Sequence, residues 1–136
     1  WESTLVKIVN ASITGGTTLS GNRTVGDGTG TIVDVHTGNA SGRTRFDRIR
    51  IQAIGPTTAG FIHAYLKKSG GSYRFVREWA VKAVTAQNIT DGIPRWFVDI
   101  DCTVNYEAFY LQNGDILALA TDRAETFNVL AMGGDA

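Results

Sequence analysis

Arg43-Thr44-Arg45-Phe46-Asp47-Arg48-Ile49-Arg50-Ile51-Gln52-Ala53 is the stretch that decides the fold class. Ile49, Ile51 and Ala53 alternate with Arg48, Arg50 and Gln52. A period of two sends successive side chains to opposite faces of a strand. The stretch reads as a half-buried strand with an apolar inner face and a charged outer face. Asp47 has the parity of Ile49, so it is expected inward and paired with an arginine, because an unpaired inward carboxylate is costly.

Working outward, the same pattern recurs. Gly55-Pro56-Thr57-Thr58 turns the chain, and residues 61–67 set Ile62, Ala64 and Leu66 opposite Phe61, His63 and Tyr65. Ser69-Gly70-Gly71-Ser72 reads as a hairpin-type loop. Residues 73–83 fit two patterns. A strand groups Phe75, Trp79 and Val81; a helix lines up Val76, Trp79, Ala80, Ala83 and Val84. The aromatic content and the preceding Gly-Gly turn favour the strand. Residues 86–94 read as a loop, and residues 96–104 as a strand with Trp96, Val98, Ile100 and Cys102 on its core side. Asn113-Gly114-Asp115 permits the positive φ angles of a tight hairpin. Residues 116–121 and 127–132 close the series, and Gly133-Gly134 ends it. Upstream, Val33 and Val35 share one side of a strand, residues 37–42 are a loop, residues 14–18 a turn and residues 4–12 strand-like.

The total is eight or nine short strands with no firm helix, the spacing of a sandwich or barrel. Composition agrees: 16 Gly, 16 Thr and 22 Val plus Ile serve turns and pleated, half-buried surfaces. The 136 residues make one domain. Residues 1–22 form an N-terminal strand or an arm that reaches a neighbour, and residues 23–136 form the sandwich. The 43% hydrophobic content argues against disorder, and the short apolar runs do not span a bilayer. The chain opens on Trp1 without the basic-then-apolar layout of a signal peptide. Four Asn-x-Ser/Thr triplets, at Asn10, Asn22, Asn39 and Asn88, are what chance supplies in a chain rich in Asn and Thr.

Little of the sequence points to chemistry. His36 and His63 lack a second His or Cys at metal-ligand spacing. Cys102 is the single cysteine and falls on a core face, so it reads as a small buried hydrophobe rather than a nucleophile. Asp99 and Asp101 share a strand face and form the best candidate for an ion site or an acid/base pair, against the commoner reading of an ordinary exposed face. Gly26-Asp27-Gly28-Thr29-Gly30 lacks the Lys-Ser/Thr pair and the following helix of a phosphate loop. No Gly-x-Ser-x-Gly elbow is present. The sequence calls for no cofactor, no metal and no catalytic role. Trp1, Trp79, Trp96, Tyr65, Tyr73 and Tyr110 are candidates for a sugar-binding face, although burial in strands accounts for most of them.

Thirteen Lys plus Arg balance thirteen Asp plus Glu. Neutrality argues against a general nucleic-acid or membrane-surface binder. The balance is not local, however. Residues 1–82 hold eleven basic and five acidic residues, a surplus of six positive charges, and residues 83–136 hold two basic and eight acidic ones, the same surplus reversed. Either the two parts interleave into ordinary ion pairs, or the surface is bipolar and favours oriented docking.

Two stretches resemble a known group. One runs Arg45-Phe46-Asp47-Arg48-Ile49-Arg50-Ile51-Gln52-Ala53-Ile54-Gly55-Pro56-Thr57-Thr58-Ala59-Gly60, on through Phe61-Ile62-His63-Ala64-Tyr65-Leu66 and Phe75-Val76-Arg77-Glu78-Trp79-Ala80-Val81. The other joins Leu111-Gln112-Asn113-Gly114-Asp115-Ile116-Leu117 to residues 121–135. Together they resemble small β-rich virion proteins of tailed bacteriophages, of the head decoration or cement kind. The resemblance covers roughly residues 43–135. It implies an all-β antiparallel sandwich of jelly-roll type on the capsid surface. It also implies a homotrimer or homodimer that binds the major capsid protein and has neither nucleic-acid nor membrane partners. The expected capsid or subunit contacts are the basic residues Arg43, Arg45, Arg48, Arg50, Lys67 and Lys68, with Trp1 and Leu5 as apolar anchors. Two other readings stand beside it: a tail, baseplate or fibre-associated module, and a carbohydrate-binding module.

Overall fold

The computed structural model describes residues 5–14, 32–39, 42–85, 92–102, 109–121, 123 and 125–135. Trp1, residues 15–31, Asn88 and most of the 86–94 loop lie outside them. Among the described residues there are nine strands and no helix: β1 (Leu5–Thr14), β2 (Val33–Thr37), β3 (Arg43–Ala53), β4 (Gly60–Lys67), β5 (Tyr73–Val81), β6 (Phe97–Asp101), β7 (Phe109–Gln112), β8 (Ile116–Thr121) and β9 (Thr126–Asp135). The segment with two readings, residues 73–83, is a strand.

All pairings are antiparallel, and they form two sheets. One runs β1-β9-β3-β6, with β7 also paired to β3; the other runs β2-β8-β4-β5. The pairs are nested. β4 pairs with β5, β3 with β6 and β7, β2 with β8, and β1 with β9. The chain is thus one long antiparallel ribbon folded across itself, and two further pairings, β3 with β9 and β4 with β8, seal the fold.

The inner faces meet in one core. Phe46, Ile49, Ile51, Phe127 and Val129 from the first sheet pack with Ile62, Ala64, Trp79, Leu117 and Leu119 from the second. Each of the larger aliphatic and Phe side chains among them contributes about 1.5–3 kcal/mol when fully buried. Trp96 meets Phe127 edge to face at 5.7 Å between centroids, a favoured geometry for a ring pair. Trp96, Ile100 and Cys102 all face this core, as the alternation of residues 96–102 requires.

Three bulges set where period-two parity holds. Between β3 and β9, Phe46 pairs with Gly133 and Arg48 with Met132, so Asp47 is the extra residue. Its carboxylate is therefore not on the inner face; it lies outward, held by Arg45. Between β4 and β5, Tyr65 pairs with Phe75 and Ala64 with Arg77, which skips Val76. Phe75 consequently leaves the face of Trp79 and Val81 and joins Tyr65, Tyr73, Ile116 and Ala118 on the far side of the sheet. Tyr65 is only 1% exposed there. The third bulge lies between Asp34 and His36.

The expected tight turn at Asn113-Gly114 is present, with Gly114 at φ +82° and the Asp115 amide donating to the Gln112 carbonyl at 3.0 Å. It does not close a hairpin: β7 belongs to the five-stranded sheet and β8 to the four-stranded one, so the turn carries the chain across the core. The loop at Ser69-Gly70-Gly71-Ser72 does close a hairpin, joining β4 to β5.

Candidate docking surface

The outer face of the five-stranded sheet follows from the register. Across β6, β3 and β9, Asp101, Arg48 and Met132 form one row. Asp99, Arg50 and Leu130 form the next, and Phe97, Gln52 and Asn128 the third. The chemistry runs in columns, with carboxylates on β6, guanidiniums on β3 and apolar groups on β9.

The charged columns are paired in place. Arg50 Nη1 lies 2.7 Å from Asp99 Oδ2, and Arg48 Nη2 3.7 Å from Asp101 Oδ2. The Arg50 guanidinium also donates to Gln52 Oε1 at 3.2 Å and lies 4.6 Å from the centre of the Phe97 ring. Arg45 grips Asp47 through two nitrogens, at 2.7 and 3.0 Å, the fork geometry that guanidinium and carboxylate favour. The Arg48 and Arg50 pairs are solvent-accessible, so each contributes about 0–1 kcal/mol, whereas the Arg45–Asp47 pair is partly buried. Their larger effect is to hold long side chains in fixed positions over the sheet.

The six basic residues expected at an interface do not form one patch. Arg43, Arg45, Arg48 and Arg50 all lie on β3, Arg43 exposed and opposite Gln112. Lys67 lies on the other sheet, its ammonium 5.1 Å from the centre of the Tyr73 ring. The Tyr73 hydroxyl donates to Asp34 Oδ1. That hydrogen bond, with partial burial and the Asp34 charge behind it, raises the phenol above its usual range. Lys68 belongs to a structural node. Its Nζ donates to Asp115 Oδ2 at 2.9 Å, and the Gln112 and Ser69 amides reach the same carboxylate at 3.2 and 3.4 Å. Burial, the largest influence, pushes Asp115 up, but the Lys68 hydrogen bond, the two amides and the Lys68 charge together hold it below its ordinary value. Leu5 pairs in register with Asp135, and Trp1 lies outside the described residues.

Asp99 and Asp101 do share a face, as expected, but each carboxylate is set against an arginine that a bound cation would have to displace. Among the described residues no group of three or more His, Cys, Asp or Glu is placed to hold a metal ion. His63 Nδ1 lies 3.3 Å from Glu78 Oε2 on the far side of the other sheet, between Phe61 and Phe75. Of the aromatic candidates for a sugar face, Tyr65, Trp79 and Trp96 are buried, and Tyr110 is exposed.

Sequence reading missed the apolar column and the exposed ring. Leu130 and Met132 look like core residues, yet they share parity with exposed Asn128 and lie outward. Phe97, 43% exposed, is the outward neighbour of buried Trp96. The signal was the alternation itself, read through to both faces.

Comparison with protein-family models finds no match to this chain, and comparison with curated proteins finds none.

Proposed function

We propose that this protein is a structural component of a tailed-phage virion, a decoration protein bound to the outside of the capsid that stabilises the shell through many weak contacts. The resemblance of residues 43–135 carries this reading, and the strand order supports it. Nested pairs that give β1-β9-β3-β6 and β2-β8-β4-β5 are what two interlocked Greek keys produce in a jelly roll, a fold common among capsid and lectin domains. Fold alone does not assign function. The favoured partners are therefore the major capsid protein and further copies of this chain, as a homodimer or homotrimer, with no catalytic role.

The mechanism is adhesive. Each copy offers a rigid sandwich, and repetition over a shell multiplies contacts that are individually modest. Labelling the protein in purified particles tests this. Copies in a regular lattice over the head are expected. A few copies at one vertex or on the tail would favour a tail, baseplate or fibre-associated module. Capture of a defined glycan by the free protein, lost on Tyr110→Ala, would favour a carbohydrate-binding module.

A further inference from the structure

We infer that the outer face of the five-stranded sheet is the surface through which two copies of this chain pack back to back. This rests on the self-association included in the reading above and assigns it a place. Four observations support a second copy as the occupant. First, β9 turns Leu130 and Met132 outward beside Arg48 and Arg50, and β6 adds Phe97. Met, Arg and aromatic residues are the types enriched in interfaces, and lysine is depleted there. No lysine occurs on β3, β6 or β9; Lys7 lies on β1, at the edge of the sheet.

Second, the charges on these rows cancel, Arg48 against Asp101 and Arg50 against Asp99. A strongly charged partner gains little from such a face. A second copy, with the same balanced columns, meets no net repulsion. Third, the side chains are already ordered: Arg50 is held by Asp99, Gln52 and the Phe97 ring, so little rotamer freedom remains to be lost on docking. Fourth, the size fits. Strands of ten or eleven residues on β1, β9 and β3 and five on β6, spaced about 4.8 Å apart and rising about 3.4 Å per residue, project roughly 600 Å². A corrugated side-chain surface exceeds its projection, which brings it near the roughly 800 Å² per partner of a standard stable interface.

Met132, the single methionine of the chain, lies in this face and serves as a built-in reporter. Thioether oxidation by dilute hydrogen peroxide depends on access to the sulfur. The experiment measures mass in solution by sedimentation and the rate of Met132 sulfoxide formation by mass spectrometry. It compares the native chain with a Phe97→Ser/Asn128→Arg variant, whose changes are at outward positions two strand rows from Met132. The native chain is expected to sediment as a multimer and the variant as a monomer with a thermal unfolding midpoint within a few degrees of native. Met132 is then expected to oxidise severalfold faster in the variant. A multimeric variant, or equal oxidation rates in a multimer and a monomer, would show that the copies meet elsewhere, leaving self-association standing. A native chain that is monomeric at all concentrations would remove both the face and self-association, while the location on the particle would still be decided by labelling.

Discussion

Replacing Gly133 by alanine probes the junction on which the five-stranded sheet depends. Gly133 faces the bulge in β3, and a Cβ built on it would fall 1.7 Å from the Arg45 carbonyl oxygen and 2.8 Å from the Phe46 Cα. An ordinary carbon–oxygen contact is about 3.3 Å or longer, so the first approach is short by about 1.6 Å. Both obstacles are backbone, and no side chain can swing aside. Relief requires β9 and β3 to part at the end where Phe46 pairs with Gly133, Arg45 with Gly134 and Thr44 with Asp135. The Thr44 hydroxyl, fully buried, also donates to Asp135 Oδ1 at 2.7 Å across this junction. Three register pairs and one side-chain hydrogen bond, at about 1 kcal/mol each, give a loss of roughly 3–4 kcal/mol. That is a large part of the roughly 5–15 kcal/mol that holds a domain folded, and it lowers the midpoint by on the order of 10 °C. Urea unfolding at constant slope measures it, with Gly55→Ala as the control. Nothing lies within 4 Å of a Cβ at Gly55, so that change is expected to shift stability by about 0.5 kcal/mol or less. Equal stability of Gly133→Ala and the native chain would refute the close approach of β9 to the bulge, and with it the placement of Asp47 on the outer face.

Asp115→Asn removes the charge that Lys68, Gln112 and Ser69 address, and a loss of about 1.5–3 kcal/mol is expected at pH 7. Because the folded carboxyl sits below its unfolded value, its contribution is complete above about pH 5 and fades as pH falls through the lowered folded value. Melting curves of native and variant proteins should therefore converge in strong acid; parallel curves down to pH 2 would contradict the node. Phe127→Ala, which empties the site packed against Trp96, should cost about 3–5 kcal/mol by denaturant titration. Asp99→Asn breaks an exposed pair and should change stability by no more than about 1 kcal/mol. A larger loss would mean that Arg50 is far less solvated than its position on the outer face implies.

Much of the fold was legible because strand alternation is a local property. The Ile49, Ile51 and Ala53 face, the Ile62, Ala64 and Leu66 face, and the Trp96, Ile100 and Cys102 face all point where the period places them. Legibility failed where pairing overrides parity. Asp47 and Val76 are the unpaired residues of bulges, and a bulge is recorded in the partner strand rather than in the strand that carries it. The partner of the first is Gly133, which in sequence looks like a terminating glycine and in space is the position that admits the β3 backbone. β7 escaped notice because Phe109-Tyr110-Leu111-Gln112 is too short to show a period. The Asn113-Gly114 turn was legible as a turn, but its crossing between sheets depends on β7 and β8 finding different partners. The docking face was half legible: the charges on β3 stand in the sequence, whereas the apolar column beside them requires the β3–β9 register.

The same register changes what the uneven charge means. The positive surplus of residues 1–82 and the negative surplus of residues 83–136 meet across β3 and β6, where Arg48 faces Asp101 and Arg50 faces Asp99, and again where Lys68 reaches Asp115. The chain ordering that separates the charges is undone by antiparallel pairing of early strands with late ones, so on this face the interleaved arrangement holds rather than the bipolar one. Association of two copies through it should depend weakly on salt, because moderate ionic strength screens unpaired surface charge far more than it loosens an already compensated ladder. The test is a charge exchange. Arg50→Asp with Asp99→Arg keeps the pair and the balance and should leave self-association near native, whereas Arg48→Glu with Arg50→Glu sets four carboxylates against one another and should weaken it. If the exchanged pair fails as badly as the double reversal, Arg50 is recognised as an individual cation by an acidic group of the second copy, and the face works by charge rather than by shape.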